Sequence, residues 1–477
     1  MSEGNDRYRD VGEAVLVPPL RGFSPVLTVL SLTLCLMGLG VILWSTSLSD
    51  APSFGPSSSR DLERLASRVL AFETSANRLS SFERFMYHLG TGEFDTQDDL
   101  LRWYRQLLSE QPDVMNWVYV GILIGEYQDS LALRSFLDEF PEDTPLFNLL
   151  REALQGAYLG ENSLRGYQDM QANLAEEMPG NWFYFQLAQR MAERAENVQL
   201  HSSLSAQLQH QTMSLILKWR LGLALELAIL ILGGVGWVIY VKAQRSRVQT
   251  DLTFWTFGEG MAVLARGGAL TVLILGCLLV FPGGAYWLME YGVLVLYLPV
   301  VLVAYGLLFR ARALSVQEVF GWSPFWAQLR TSAPVALMVL GLGLVGSWAM
   351  MILGDAMGYN VHWTEWFVPD LVWGSQTQVL KTLAEFVILA SFFEEVIFRG
   401  LLFPTLQVRF GSGAAILGSA LLFAGAHGYG LVAFLTVLWS GILWGWAYSR
   451  TGSLLPGMVA HAVNNGLVAY TLLAFFR

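Results

Sequence analysis

Cysteine is almost absent from this 477-residue chain, which has two, Cys35 and Cys277. Both lie inside apolar runs and read as small buried hydrophobes, which argues against a disulfide framework or a cysteine-based metal site. Charge is also scarce, at 14% of residues against about a quarter in an ordinary soluble domain. Lysine is missing altogether between Ser47 and Thr212, where 24 Asp and Glu face 12 Arg, a net of −12 in a chain whose total is −10. The remainder is slightly basic, and nothing in the pattern suggests nucleic-acid binding. There is no His-Glu-x-x-His zinc motif among the six histidines. Matching repeats in the two halves, expected of many transporters, are missing too.

What the chain has in abundance is hydrophobic sequence, 54% of residues with a mean hydropathy of +0.44. Nine apolar stretches are read as membrane spans: residues 25–44, 221–241, 270–286, 293–308, 335–353, 380–398, 414–426, 431–448 and 455–475. The seventh is short for a crossing. The first is too long for a signal-peptide core, and Ser45-Thr-Ser-Leu48 after it is a poor cleavage site, so it is expected to be retained. Lys242-Ala-Gln-Arg-Ser-Arg247, Arg310, Arg312, Arg399, Arg409 and Arg450 then place the N-terminus and the basic loops in the cytoplasm. The fold expected is an all-α polytopic membrane bundle of about nine spans with an inserted soluble α-helical domain. Its expected parts are residues 1–46 (tail and first span), 47–212 (the acidic extracytoplasmic domain), 213–332 (spans two to four) and 333–477 (the catalytic membrane part). The localisation expected is integral and multi-pass, in the cell's inner or plasma membrane.

Residues 47–212 open on a Pro/Ser/Gly linker, residues 50–59. Helical spacing follows, as in Leu62, Leu65, Val69, Leu70 and Phe72. Turn signals break it at Gly90–Gly92, Gln111-Pro-Asp113, Pro141–Pro145, Gly160 and Pro179-Gly180. Pairs of helices carrying aromatic and small residues (Trp117, Tyr119, Gly121; Phe147, Ala153, Tyr158, Gly160) are faintly similar to a tetratricopeptide-type array. The alternative is one irregular helical domain. No residue pattern for chemistry occurs in it, and a protein partner or substrate is the expected ligand. Between Gly354 and Gln378 an aromatic-rich outer loop carries Trp363, Trp366, Phe367 and Trp373, read as an interfacial belt or a substrate gate.

The chemistry is concentrated in the apolar C-terminal third. Ser391–Pro404, SFFEEVIFRGLLFP, sets Glu394 and Glu395 side by side with Arg399 four residues on. A charge inside hydrocarbon costs about 2.5–3.5 kcal/mol even on lenient insertion scales, so two adjacent carboxylates need a reason. On a helix Glu395 and Arg399 share a face and can pair, whereas Glu394 lies about 100° around and has no local counter-ion. The plain reading is a buried ion pair with a spare carboxylate; the sharper one is a catalytic base. Downstream, Phe423-Ala-Gly-Ala-His427 and His461-Ala-Val-Asn-Asn465 add two imidazoles and an amide, with His461 and Asn465 on one helical face. A single intramembrane histidine is often a helix–helix hydrogen bond. So many polar groups in one small bundle favour function.

EExxxR, FxxxH and HxxxN in this order on apolar helices resemble the CAAX prenyl protease and bacteriocin-processing (CPBP) intramembrane endopeptidases. The matching residues are Glu394, Glu395, Arg399, Phe423, His427, His461 and Asn465. The lead-in Thr451-Gly-Ser-Leu-Leu-Pro456 is similar as well, and the resemblance covers about residue 333 to the C-terminus. It implies peptide-bond hydrolysis near the cytoplasmic face, with a membrane-anchored protein or peptide as substrate and the bilayer as surroundings. In the roles it implies, Glu394 and His427 activate water while His461 and Asn465 hold the oxyanion. Glu395, Arg399 and Phe423 support them.

Two choices stay open at this level. Glu394, His427 and His461 form an alternative zinc set with an open fourth position, although Asn465 is a poor zinc ligand; metal-free glutamate catalysis is the reading preferred, with no cofactor. The complete set of Glu, His, His and Asn favours an enzyme over a catalytically silent scaffold or bacteriocin-immunity-type protein of the same fold. A proton-coupled transporter is the third class.

Overall fold

The computed structural model describes residues 23–47, 55–91, 96–141, 144–160, 167–243, 252–322 and 325–477, and every element among them is helical. These residues fall into two compact units. One comprises Met1–Ser49 with Ala224–Leu472, the other Asp50–Leu223 with Leu473–Arg477. The turn signal at Gly92 lies outside the described residues, whereas Gly90 sits within the helix Ser81–Thr91.

The smaller unit is a packed assembly of short amphipathic helices. In Ser58–Thr74, Leu62, Leu65, Leu70 and Phe72 are buried and Val69 is half-buried, following the helical spacing. Its turns are set by caps. Asp113, Asp129, Thr144 and Asn181 each accept a backbone N–H of the first turn that would otherwise lack a partner. Gly160 takes φ 70°, where a side chain would be strained. Gly121 and Gly125 let Val114–Tyr127 come close to the next helices. A Cβ at either position would stand 2.7 Å from Leu154 or Tyr158.

The larger unit has large apolar side chains on its outside and charged ones within, the reverse of a water-soluble domain. Leu273, Leu279, Val280 and Trp237 face outward while Arg399, Glu395 and Glu259 are buried. Among the described residues six helices are long and apolar enough to cross a membrane: Val198–Ala243, Phe257–Val280, Gly284–Phe309, Arg330–Ala356, Leu431–Thr451 and Leu455–Phe476. Pro25–Val41 is a shorter apolar stretch. The protein is an integral, multi-pass membrane protein. The break expected between residues 286 and 293 falls earlier. Phe281–Gly283 forms the turn, and Gly284–Ala304 runs on as a helix bent at Tyr291. Residues 380–398 and 414–426 lie in a helical path that is interrupted instead of two plain spans. It has π turns at Ala384–Leu389 and Val396–Leu402 and a break at Gly411, φ 78° and ψ 170°.

Two helices of this unit meet backbone to backbone. A Cβ at Gly236 would lie 2.6 Å from the Pro334 carbonyl oxygen, whereas one at Gly234 meets nothing within 4 Å. Small residues at such crossings provide the close packing that replaces the hydrophobic effect in lipid. Gly236→Leu is therefore expected to destabilise the protein by about 1–3 kcal/mol through overpacking, with Gly234→Leu near neutral. Thermal unfolding of both variants in detergent decides it, and equal midpoints would sink the argument.

Candidate active site

Glu394 and Glu395 end the short α segment Ala390–Glu395, between the two π turns. A π turn inserts one residue per turn and re-aims the side chains beyond it, and such turns are frequent at functional sites. Both carboxylates and Arg399 are buried, at 8%, 1% and 0% exposure. The i, i+4 pair forms as its spacing predicts, with Arg399 Nη1 donating to Glu395 Oε1 at 2.8 Å.

The guanidinium is held through its two Nη groups and against two ring faces, while its buried Nε has no hydrogen-bond partner among the described residues. Nη2 donates to the Gly441 carbonyl at 3.1 Å, and the ring centroids of Phe423 and Trp444 lie 4.4 and 5.3 Å away. Such contacts strengthen when water is excluded. Trp444 in turn stacks on the His461 ring, centroids 4.3 Å apart at 20°. Glycines leave the room needed. A Cβ at Gly441 would stand 3.1 Å from Arg399 Nη2, and one at Gly457 would stand 2.7 Å from Glu395 Oε2.

His461 comes from Leu455–Thr471, whose start tolerates Pro456 because no N–H is needed there. Its ring lies between the two carboxylates, Nε2 3.6 Å from Glu394 Oε2 and Nδ1 3.5 Å from Glu395 Oε1. Asn465, one turn on, donates its amide to the Phe386 carbonyl at 2.9 Å, in the first π turn.

His427 packs on Phe423, whose ring also meets the His461 ring edge-on at 5.8 Å. His427 Nδ1 is 2.8 Å from the Phe423 carbonyl, and its ring meets Phe423 edge-on at 4.9 Å. A carbonyl only accepts, so Nδ1 carries a proton and donates it to this bond. Among the described residues His427 makes no ion pair with Glu394, and no three His, Cys, Asp or Glu side chains are grouped to hold a metal ion.

The aromatic loop turns inward. Trp363 and Phe367 are buried, and Glu365 accepts the Gly430 N–H at 3.2 Å, three residues beyond His427. Sequence reasoning missed Tyr297, whose hydroxyl donates to Glu394 Oε1 at 2.6 Å, and Trp444. Neither carries a local signal, since a tyrosine or tryptophan in an apolar helix is ordinary.

The geometry pairs one carboxylate with a fixed cation and the other with a phenol, with one imidazole between them. That division suits a charge-compensated support beside a proton acceptor. The chain matches no curated protein and no solved structure. Residues 376–467, which hold both glutamates, Arg399, Phe423, both histidines and Asn465, match the family model Rce1-like, described as type II CAAX prenyl endopeptidase Rce1-like, so the segment that builds this site is similar to those endopeptidases.

Proposed function

We propose that the protein is an intramembrane endopeptidase that cleaves a membrane-associated protein or peptide with water activated at Glu394, and needs no resident metal. The observation that carries this reading is the unequal setting of two adjacent buried carboxylates, Glu395 on Arg399 and Glu394 on Tyr297, with His461 between them. In the step proposed, a water O–H bond breaks as its proton moves to Glu394, and the water oxygen bonds to the scissile carbonyl carbon. The C–N bond then breaks and the proton passes to the leaving amine. Nε2 of His427 accepts from the same water, while His461 and Asn465 donate to the developing oxyanion. One such donor is typically worth about 10²–10³ in rate. The acidic unit around residues 50–223 serves as the partner- or substrate-binding part, and the membrane is the cell's inner or plasma membrane.

Purified protein in proteoliposomes, incubated with a membrane-anchored reporter with and without a chelator, tests the reading. Cleavage unaffected by the chelator is expected. Loss restored by Zn²⁺ would move the chemistry to a metal, and no cleavage of any anchored reporter would favour the scaffold class.

A further inference from the structure

Tyr297 lies outside the segment that matches the endopeptidase family, on the helix Gly284–Ala304, almost a hundred residues before the glutamates. Its hydroxyl donates to Glu394 Oε1 at 2.6 Å, a length typical of a hydrogen bond to a charged acceptor. The ring is stacked on Phe393, centroids 6.1 Å apart at 17°, so the phenol is held from two sides of the same short helix segment. Pro299 follows two residues later, and the helix is bent at Tyr291. Tyr297 thus sits between two irregular points of its helix, where the backbone can be placed for one contact.

The two oxygens of Glu394 are made unequal by this bond. Oε1 is taken by the phenol. Oε2 faces His461 Nε2 at 3.6 Å, beyond hydrogen-bonding distance, and among the described residues it has no donor of its own. We propose that Tyr297 is a positioning residue for the reaction proposed above. By holding Oε1 it fixes the carboxylate plane and leaves Oε2 as the oxygen that takes the proton from water. A carboxylate on a flexible two-carbon stem would otherwise spread over several rotamers, and reactive groups that drift by an ångström lose rate steeply. The inference rests on Glu394 being the base, and it adds a residue from a helix that the family match does not reach.

The experiment is a kinetic cycle on the full-length protein in proteoliposomes, with the anchored reporter as probe. Tyr297→Phe removes only the hydroxyl. It is expected to lower kcat about 10- to 100-fold, the size of one hydrogen bond to a charged group, with KM unchanged. Glu394→Asp shortens the carboxylate out of the phenol's reach, so adding Tyr297→Phe to it should cost nothing further. A purely structural tyrosine would give the same fold loss in both backgrounds. If the Phe variant fails to elute as a monodisperse species, a fluorinated tyrosine at position 297 keeps the shape while altering the donor, and kcat should shift there with KM constant. Wild-type kcat in Tyr297→Phe, equal losses in both backgrounds, or a change in KM alone overturns the inference. Full activity in Glu394→Gln overturns the assignment of the base itself, whereas an inactive Glu394→Gln beside a fully active Tyr297→Phe overturns only the role of Tyr297.

Discussion

Glu394→Gln is expected to abolish reporter cleavage while leaving the thermal midpoint in detergent at the wild-type value. The amide is isosteric, and its oxygen still accepts the Tyr297 hydroxyl that now meets Oε1. Among the described residues Glu394 is paired with no Lys or Arg, so removing its charge strands no permanent cation. What the amide cannot do is take a proton from water. General-base catalysis is typically worth about 10²–10⁴ in rate, so the residual activity should fall below that of any neighbouring substitution. His427→Ala should come close to it, and Asn465→Ala should retain measurable rate, because one oxyanion donor among several is lost. Cleavage at the wild-type rate by Glu394→Gln would falsify the assignment.

The opposite profile is expected of Glu395→Gln: a large loss of stability, with activity falling because less folded protein remains. Arg399 has 0% exposure, and among the described residues its only carboxylate contact within hydrogen-bonding distance is Glu395 at 2.8 Å. Removing one partner of a buried ion pair typically costs about 3–5 kcal/mol, because the other charge stays in a low-dielectric interior. The Gly441 carbonyl and the faces of Phe423 and Trp444 remain, and they soften the loss without neutralising the charge. Glu395→Gln combined with Arg399→Met should recover part of the stability, since no buried charge is then left alone. The measurement is thermal unfolding of the three variants in the same detergent. A Glu395→Gln midpoint equal to wild type, or a double variant weaker than the single one, would show that the pair does not hold the bundle together.

These two expectations separate adjacent residues of the same chemical type, and only part of that separation is visible in the chain. The pairing of Glu395 with Arg399 is a matter of helix geometry, four residues and one turn, and it forms as spacing predicts. The caps at Asp113, Thr144 and Asn181 and the left-handed Gly160 likewise follow from residue type at a turn, because their bonds close within three residues. The inward turn of Trp363 and Phe367 does not follow from composition. Aromatic residues between apolar helices suit a membrane interface equally well, and it is the bond from Gly430 to Glu365 that fastens this loop to the turn after His427.

The sequence by itself determined that the protein is a helical membrane bundle, that its apolar C-terminal third carries two carboxylates, an arginine, two histidines and an asparagine, and which of those share a helical face. Periodicity, hydropathy and the cost of an intramembrane charge are local quantities, readable along the chain. Tertiary structure alone decided that His461 lies between the glutamates and that Tyr297 and Trp444 complete the surroundings. Those contacts join helices far apart in sequence. Their register depends on how the helices pack and on two π turns that re-aim the side chains beyond them, neither of which leaves a signature in residue spacing.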